Sequence, residues 1–221
     1  MSTFVLIHGA NSSSWDWHLV APELRALGHE VIAPDLPTGS PTATLTDYTD
    51  AVVKGIEDHD PKVPDDLVVV AHSLGGFTAP LVCHRVPARL LVLVNGMIPR
   101  PGETVADWWS NTGQSEATAG TDYDEHETFF HDVTPELEAK ALAQVTGQGE
   151  AAMLQPWPAE SWPEVPTKHL VGRDDRLFPA VWARGLARQR LGITTDEMDG
   201  GHYLALSRPA ELALRLDAYT H

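Results

Sequence analysis

Cysteine is almost absent: the 221 residues contain a single one, Cys83. No disulfide can close within the chain, which excludes a small stapled scaffold and points to a reducing, cytoplasmic setting. Long apolar runs are also missing. No stretch approaches the ~18 residues of a membrane span. The opening Met-Ser-Thr-Phe-Val-Leu-Ile has neither a basic n-region nor a small-residue cleavage site, and reads as an immediate strand, not as a signal peptide. Basic side chains are scarce, with 15 Lys and Arg against 31 Asp and Glu and a formal net charge of −16. Binding to nucleic acid or an anionic membrane needs clustered cations, so both partners are excluded. What is present is ordinary globular material, 43% hydrophobic and 21% charged, enough for one compact domain with a modest insertion.

Short apolar runs alternate with amphipathic stretches. Phe4 to Ile7, Val31 to Ala33, Leu67 to Val70, Leu90 to Val94, Thr167 to Val171 and Thr194 to Met198 predict strands. Helices are predicted from about Asp16 to Leu27, Thr46 to Glu57, Phe77 to Arg85, Pro179 to Arg190 and Pro209 to Tyr219. Runs such as Leu67-Val68-Val69-Val70 fit strands buried on both faces. The alternation predicts an α/β protein with a mainly parallel sheet of about six strands, covered by helices on both faces. It is interrupted from residue 98 to 162, where Pro, Gly, Glu and Trp become frequent. A structureless loop of that length is improbable, and Thr134-Pro135 is a good helix start. The expectation is a core of 1–97 and 163–221 with a partly helical cap at 98–162.

The strongest chemical signal is Val68-Val69-Val70-Ala71-His72-Ser73-Leu74-Gly75-Gly76-Phe77. A buried strand runs into a serine and a helix follows, as a nucleophile elbow requires; Ala71 and Gly75 supply the small neighbours. A serine hydroxyl needs a base. Among the histidines, His202 stands apart, because it follows Gly200-Gly201 after the last strand and precedes the final helix. An acid is needed between them to orient the imidazole, and Asp174 and Asp175 compete for that place. The loop Ile7-His8-Gly9-Ala10-Asn11 should supply one backbone N–H to an oxyanion hole and Leu74 the other. His8 is read as structural.

Together these residues resemble the α/β-hydrolase superfamily, and within it the branch of methylesterases and hydroxynitrile lyases. The resemblance rests on FVLIHGANSSSWDWHLVAPELRALGHEVIAPDL, VVVAHSLGGF, HLVGRDDRLFP and GGHYLALSRPAEL. It implies the α/β-hydrolase fold with a small cap. It favours Asp175 as the acid, since Asp175-Arg176-Leu177-Phe178-Pro179 carries the branch's spacing, and assigns Ala10 and Leu74 as oxyanion donors. Hydroxynitrile lyases of this branch carry threonine and lysine where this chain has Gly9 and Tyr203, so the resemblance implies an esterase. The implied reaction is cleavage of a small carboxylic ester through an acyl-enzyme, with no cofactor and no metal. Lyase or lactonase activity on the same residues, or a non-catalytic ligand receptor, are the alternatives.

The segment Asp122, Asp124, Glu125, His126, Glu127, His131 and Asp132 could pass for a metal cluster, but its histidine spacing is poor and it is read as a solvated acidic loop. Cys83 is read as a small buried hydrophobe. Trp108, Trp109 and Trp157 are assigned to the wall of a substrate pocket above Ser73, because aromatic residues commonly line such sites; packing of the cap onto the core is the alternative.

Overall fold

A computed structural model describes residues 1–60, 62–120 and 123–221. Its sheet is built from β1 (Thr3–Ile7), β2 (Glu30–Ile32), β3 (Leu67–His72), β4 (Ala88–Val94), β5 (Thr167–Gly172) and β6 (Thr195–Met198). The strands lie in the order β2-β1-β3-β4-β5-β6 and every neighbouring pair is parallel. Side chains alternate across a strand, and here the alternation divides the core in two. Val5, Ile7, Val69, Ala71, Leu91 and Leu93 face one side, while Phe4, Leu6, Val68, Val70, Val92 and Val94 face the other.

Helix α1 (Val20–Ala26) puts Val20 and Leu24 into the second of these layers. Helices α2 (Leu45–His59) and α3 (Gly75–Cys83) put Val52, Ile56 and Phe77 into the first. Thr44 opens α2 with a capping box, its hydroxyl accepting from the Asp47 amide while the Asp47 carboxylate accepts from the Thr44 amide, which satisfies donors the helix leaves free. The predicted helix from Asp16 to Leu27 is broken. Ser14–Trp17 forms a 3-10 turn, and α1 begins only at Val20. Pro22 has no N–H, and its ring would oppose the carbonyl four residues earlier. The first turn is therefore the favoured place for it, and in α1 it stands there.

Between β4 and β5 the described residues hold α4 (Val105–Asn111), α5 (Gln114–Ala117), a π-helical turn (His126–Phe130), α6 (Pro135–Leu142) and α7 (Glu150–Leu154), with no strand. Thr134 caps α6 with Pro135 in its first turn, as predicted. The start and end of this segment pack into the sheet's own core: Trp108, Ala152 and Trp157 join the layer that holds Val69 and Leu91. The chain closes with α8 (Ala180–Leu191), α9 (Leu204–Ser207) and α10 (Pro209–Ala218). Among the described residues no helix is long and apolar enough to cross a membrane.

Candidate active site

The strand order reverses between β1 and β3. At such a switch point the connections leave toward opposite faces and a crevice opens beyond the carboxyl ends of the strands. Ser73 sits there, between β3 and α3, with φ at 51°. That left-handed conformation is unfavourable for a residue with a Cβ and needs support from its surroundings. The Ser73 carbonyl accepts from the amides of Gly76 (3.0 Å) and Met97 (2.9 Å). A Cβ on Gly75 would lie 2.9 Å from the His8 carbonyl oxygen, and one on Gly76 would run into the backbone of Met97. The glycines after the serine are thus dictated by close backbone approach, and Gly76 is held tighter than Gly75.

His202 and Asp175 are brought together from different loops. His202 Nδ1 lies 2.8 Å from Asp175 Oδ2, and both side chains are buried. The other carboxylate oxygen of Asp175 accepts from the amides of Leu177 (2.9 Å) and Phe178 (2.8 Å). Asp174 is exposed, its carboxylate contacting the Gly200 amide at 3.4 Å. Phe178 and Phe129 meet the imidazole edge-on, at 5.2 and 5.4 Å between centroids.

The loop that carries His202 is clamped by Asn95. Its Nδ2 donates to the carbonyls of Gly201 (3.0 Å) and His202 (2.8 Å), and its Oδ1 accepts from the Gly172 amide (2.8 Å). The Asp132 carboxylate accepts from the Gly201 amide at 2.8 Å. His72 contacts the His202 carbonyl through Nε2 (3.0 Å), and burial together with the neighbouring His202 holds its pKa well below the usual histidine value. Neutral His72 therefore donates that bond. His8 is buried and its pKa is lowered by burial. Its Nε2 accepts from the Leu36 amide (3.0 Å), so Nδ1 carries the proton and donates to the Gly9 carbonyl (2.9 Å).

Ser73, His202, Gly9 and Ala10 line one cavity of about 130 Å³, together with Asp16 and Tyr203. Among the described residues, neither the Ala10 nor the Leu74 amide donates to a backbone carbonyl. Phe129 and Tyr123 separate this cavity from a larger one of about 660 Å³, lined by Trp109, Leu177 and the ion-paired Arg176 and Glu127.

The pocket assignment of the tryptophans needs correction for two of the three. Trp108 and Trp157 are fully buried and line neither cavity. Their indole N–H groups donate to the carbonyls of Ile98 (3.1 Å) and Phe77 (2.9 Å), so the rings are anchored in the core from their polar ends. Trp109 faces the larger cavity. The acidic segment is more than a solvated loop: His126 pairs with Glu138 (2.8 Å), Glu127 with Arg176, and Asp132 with the Gly201 amide. Asp122 lies outside the described residues, among which no group of three or more His, Cys, Asp or Glu is placed to hold a metal. Asp16, Asn95 and Phe129 were not singled out by sequence, and Asp132 only as part of the acidic segment. Asn95 had one legible signal, a polar residue directly after the apolar run of β4.

The chain belongs to the alpha/beta hydrolase family, whose pattern it matches over residues 4–215. It is similar to Methylesterase 8 of Arabidopsis thaliana, 24% identical over 230 residues that cover 92% of this chain and 83% of that protein. It is also similar to salicylic acid-binding protein 2 of Nicotiana tabacum, 33% identical over 98 residues, 41% of this chain and 37% of that protein. Polyneuridine aldehyde esterase has the same fold, with a TM-score of 0.80 at 19% identity over all of both chains. An extracellular alpha/beta-hydrolase from a Paenibacillus species gives 0.76 at 23% identity, over 100% of this chain and 99% of the other.

Proposed function

We propose that this protein is a carboxylic ester hydrolase that works through an acyl-enzyme on Ser73. The observation that carries the proposal is one small cavity lined by both Ser73, at the strained turn, and His202, which is paired with buried Asp175. Ser73 attacks the ester carbonyl, and His202 takes the hydroxyl proton and returns it to the departing alcohol. Water then attacks the acyl-enzyme with His202 as base, which releases the acid and restores the serine. Asp175 fixes the tautomer: its oxygen accepts from Nδ1, leaving Nε2 free for the serine. The amides of Ala10 and Leu74 hold the oxyanion, and two aimed donors of this kind are worth about 3–4 kcal/mol each in the transition state. Residues 98–162 act as a cap whose Phe129 covers His202.

Hydrolysis is favoured over hydroxynitrile cleavage. A Cβ on Gly9 would stand 3.1 Å from the Ser73 Cβ, so a hydroxyl-bearing residue at position 9 would reach the nucleophile, and glycine offers none. Tyr203, directly after His202, is a phenol whose pKa burial raises, and it supplies no cation for cyanide. The relatives named for methyl-ester cleavage make small methyl esters the first substrates to try. A serine-directed fluorophosphonate should label Ser73 and block turnover of an activated ester, and Ser73→Ala should lose both. Ester turnover within a few-fold of wild type in Ser73→Ala would refute the proposal.

A further inference from the structure

The cavity at Ser73 contains a carboxylate for which the reaction just described has no use. Asp16 sits in the 3-10 turn Ser14–Trp17, is 3% exposed, and lines the cavity beside Ser73 and His202. The nearby Ser12 hydroxyl favours its charged form. The Asp16 Oδ2 is buried and, among the described residues, has no hydrogen-bond partner. Leaving a carboxylate oxygen buried and unbonded is costly, and such a group in a cleft marks a functional position.

The other groups facing the same space define what it would accept. Glu125, Tyr203, His72 and His202 line it, and among the described residues no Lys or Arg does. A second carboxylate therefore stands nearby with no fixed cation to neutralise either. An anionic substituent would be repelled there. A protonated amine would supply both the missing donor and the missing charge. The small volume, about 130 Å³, fits a short aminoalkyl group and not a bulky one.

We infer that Asp16 is a specificity-determining residue that binds the ammonium group of a small amino ester, placing its ester carbonyl at Ser73. This rests on the hydrolase reading for its substrate, but not for the binding itself. Burial raises the Asp16 carboxyl to about 6, opposed by the Ser12 hydroxyl and by His202. The preference for an ammonium is then full above pH 6, where Asp16 is charged, and fades below it.

The test compares kcat/KM for two isosteric pairs: β-alanine methyl ester against methyl butyrate, and 3-aminopropyl acetate against butyl acetate. Within each pair the ratio cancels effects on Ser73 and His202 that both esters share. At pH 7.5 Asp16→Asn should lower the amino-to-neutral ratio of at least one pair ten-fold or more. In wild type that ratio should collapse between pH 7 and pH 5. A ratio within two-fold of wild type in Asp16→Asn, or a parallel fall for both members of each pair, overturns the inference, because Asp16 would then serve only the fold or His202. Should Asp16→Asn not fold, the wild-type pH series decides alone, and a flat ratio down to pH 5 overturns it. Calorimetry of β-alanine methyl ester binding to Ser73→Ala, with and without Asp16→Asn, separates the two claims. Binding that depends on Asp16, together with a wild-type protein that hydrolyses no ester, would sink the hydrolase reading and leave the ammonium site standing.

Discussion

Asp174 and Asp175 are chemically identical neighbours with different partners, and only position distinguishes them. Asp175 accepts from two backbone amides with one oxygen and faces His202 with the other, whereas Asp174 stays at the surface. Asp175→Asn should therefore lower kcat by up to about ten-thousand-fold, through loss of the correct imidazole tautomer, with Asp174→Asn within a few-fold. Steady-state kinetics of the two variants decide this, and the reverse order would place the acid one residue earlier. Asn95 offers a second test. Its side chain satisfies one amide and two carbonyls around the His202 loop, and Asn95→Ala takes that partner from the Gly172 amide and the Gly201 carbonyl and leaves the His202 carbonyl with His72 alone. A cost of about 2–4 kcal/mol follows, with a fall in kcat as the loop loosens; urea denaturation with parallel kinetics would expose an unaltered stability. Sequence reading separated these residues unevenly. Ser73 and His202 stood out because glycines and strand ends mark tight turns. Asp16 and Asn95 did not, because a polar residue near a strand end is common and only the folded neighbours decide whether it is buried.

At the level of elements, alternation of apolar runs was enough to place all six strands within one or two residues, since buried parallel strands need continuous apolar sequence. The helix predicted from Asp16 begins only at Val20, with Pro22 in its first turn, and Asp16 stands instead in the 3-10 turn beside the cavity. Trp108 and Trp157 were misplaced for another reason: an aromatic ring fits a pocket wall and a core equally well until its surroundings are known. The separation of Trp108 from Trp109 is now a prediction. Trp108 packs against Trp109, Phe178 and Trp182 with no exposure, so Trp108→Ala should cost about 3–5 kcal/mol. Trp109 lines the larger cavity, so Trp109→Ala should change the ranking of esters by acyl or alcohol length. Melting temperature and kcat/KM across an ester series would contradict this if Trp108→Ala proved as stable as wild type, or if Trp109→Ala kept the wild-type ranking.

At the scale of the whole molecule, acid stability is governed by buried histidines more than by the large carboxylate excess. His8, His72 and His169 are buried with their pKa lowered chiefly by burial, His169 to about 4. For such a group the unfolded state binds the extra proton between its ordinary pKa of 6.5 and the lowered folded value. Stability is therefore full above 6.5 and falls as the pH drops through that window. Asp16 acts in the opposite sense. Its carboxyl is raised from 3.8 to about 6, so the folded state binds the extra proton between those values and gains stability as the pH falls. Three groups oppose one, and the protein should lose stability between pH 7 and pH 5. His169 is the best place to test this, because it stands on β5, where its Nδ1 meets the Thr195 hydroxyl at 2.9 Å, and it does not line the Ser73 cavity. A lowering from 6.5 to about 4 makes its share of the loss at pH 5 about 2 kcal/mol. His169→Gln retains a polar contact for Thr195 and cannot take up the proton. The variant should be somewhat less stable than wild type at pH 7, from imperfect packing, yet lose about 2 kcal/mol less on going to pH 5. Chemical denaturation at both pH values reads the difference directly, and an equal loss in the two proteins would show that His169 is protonated without penalty in the fold.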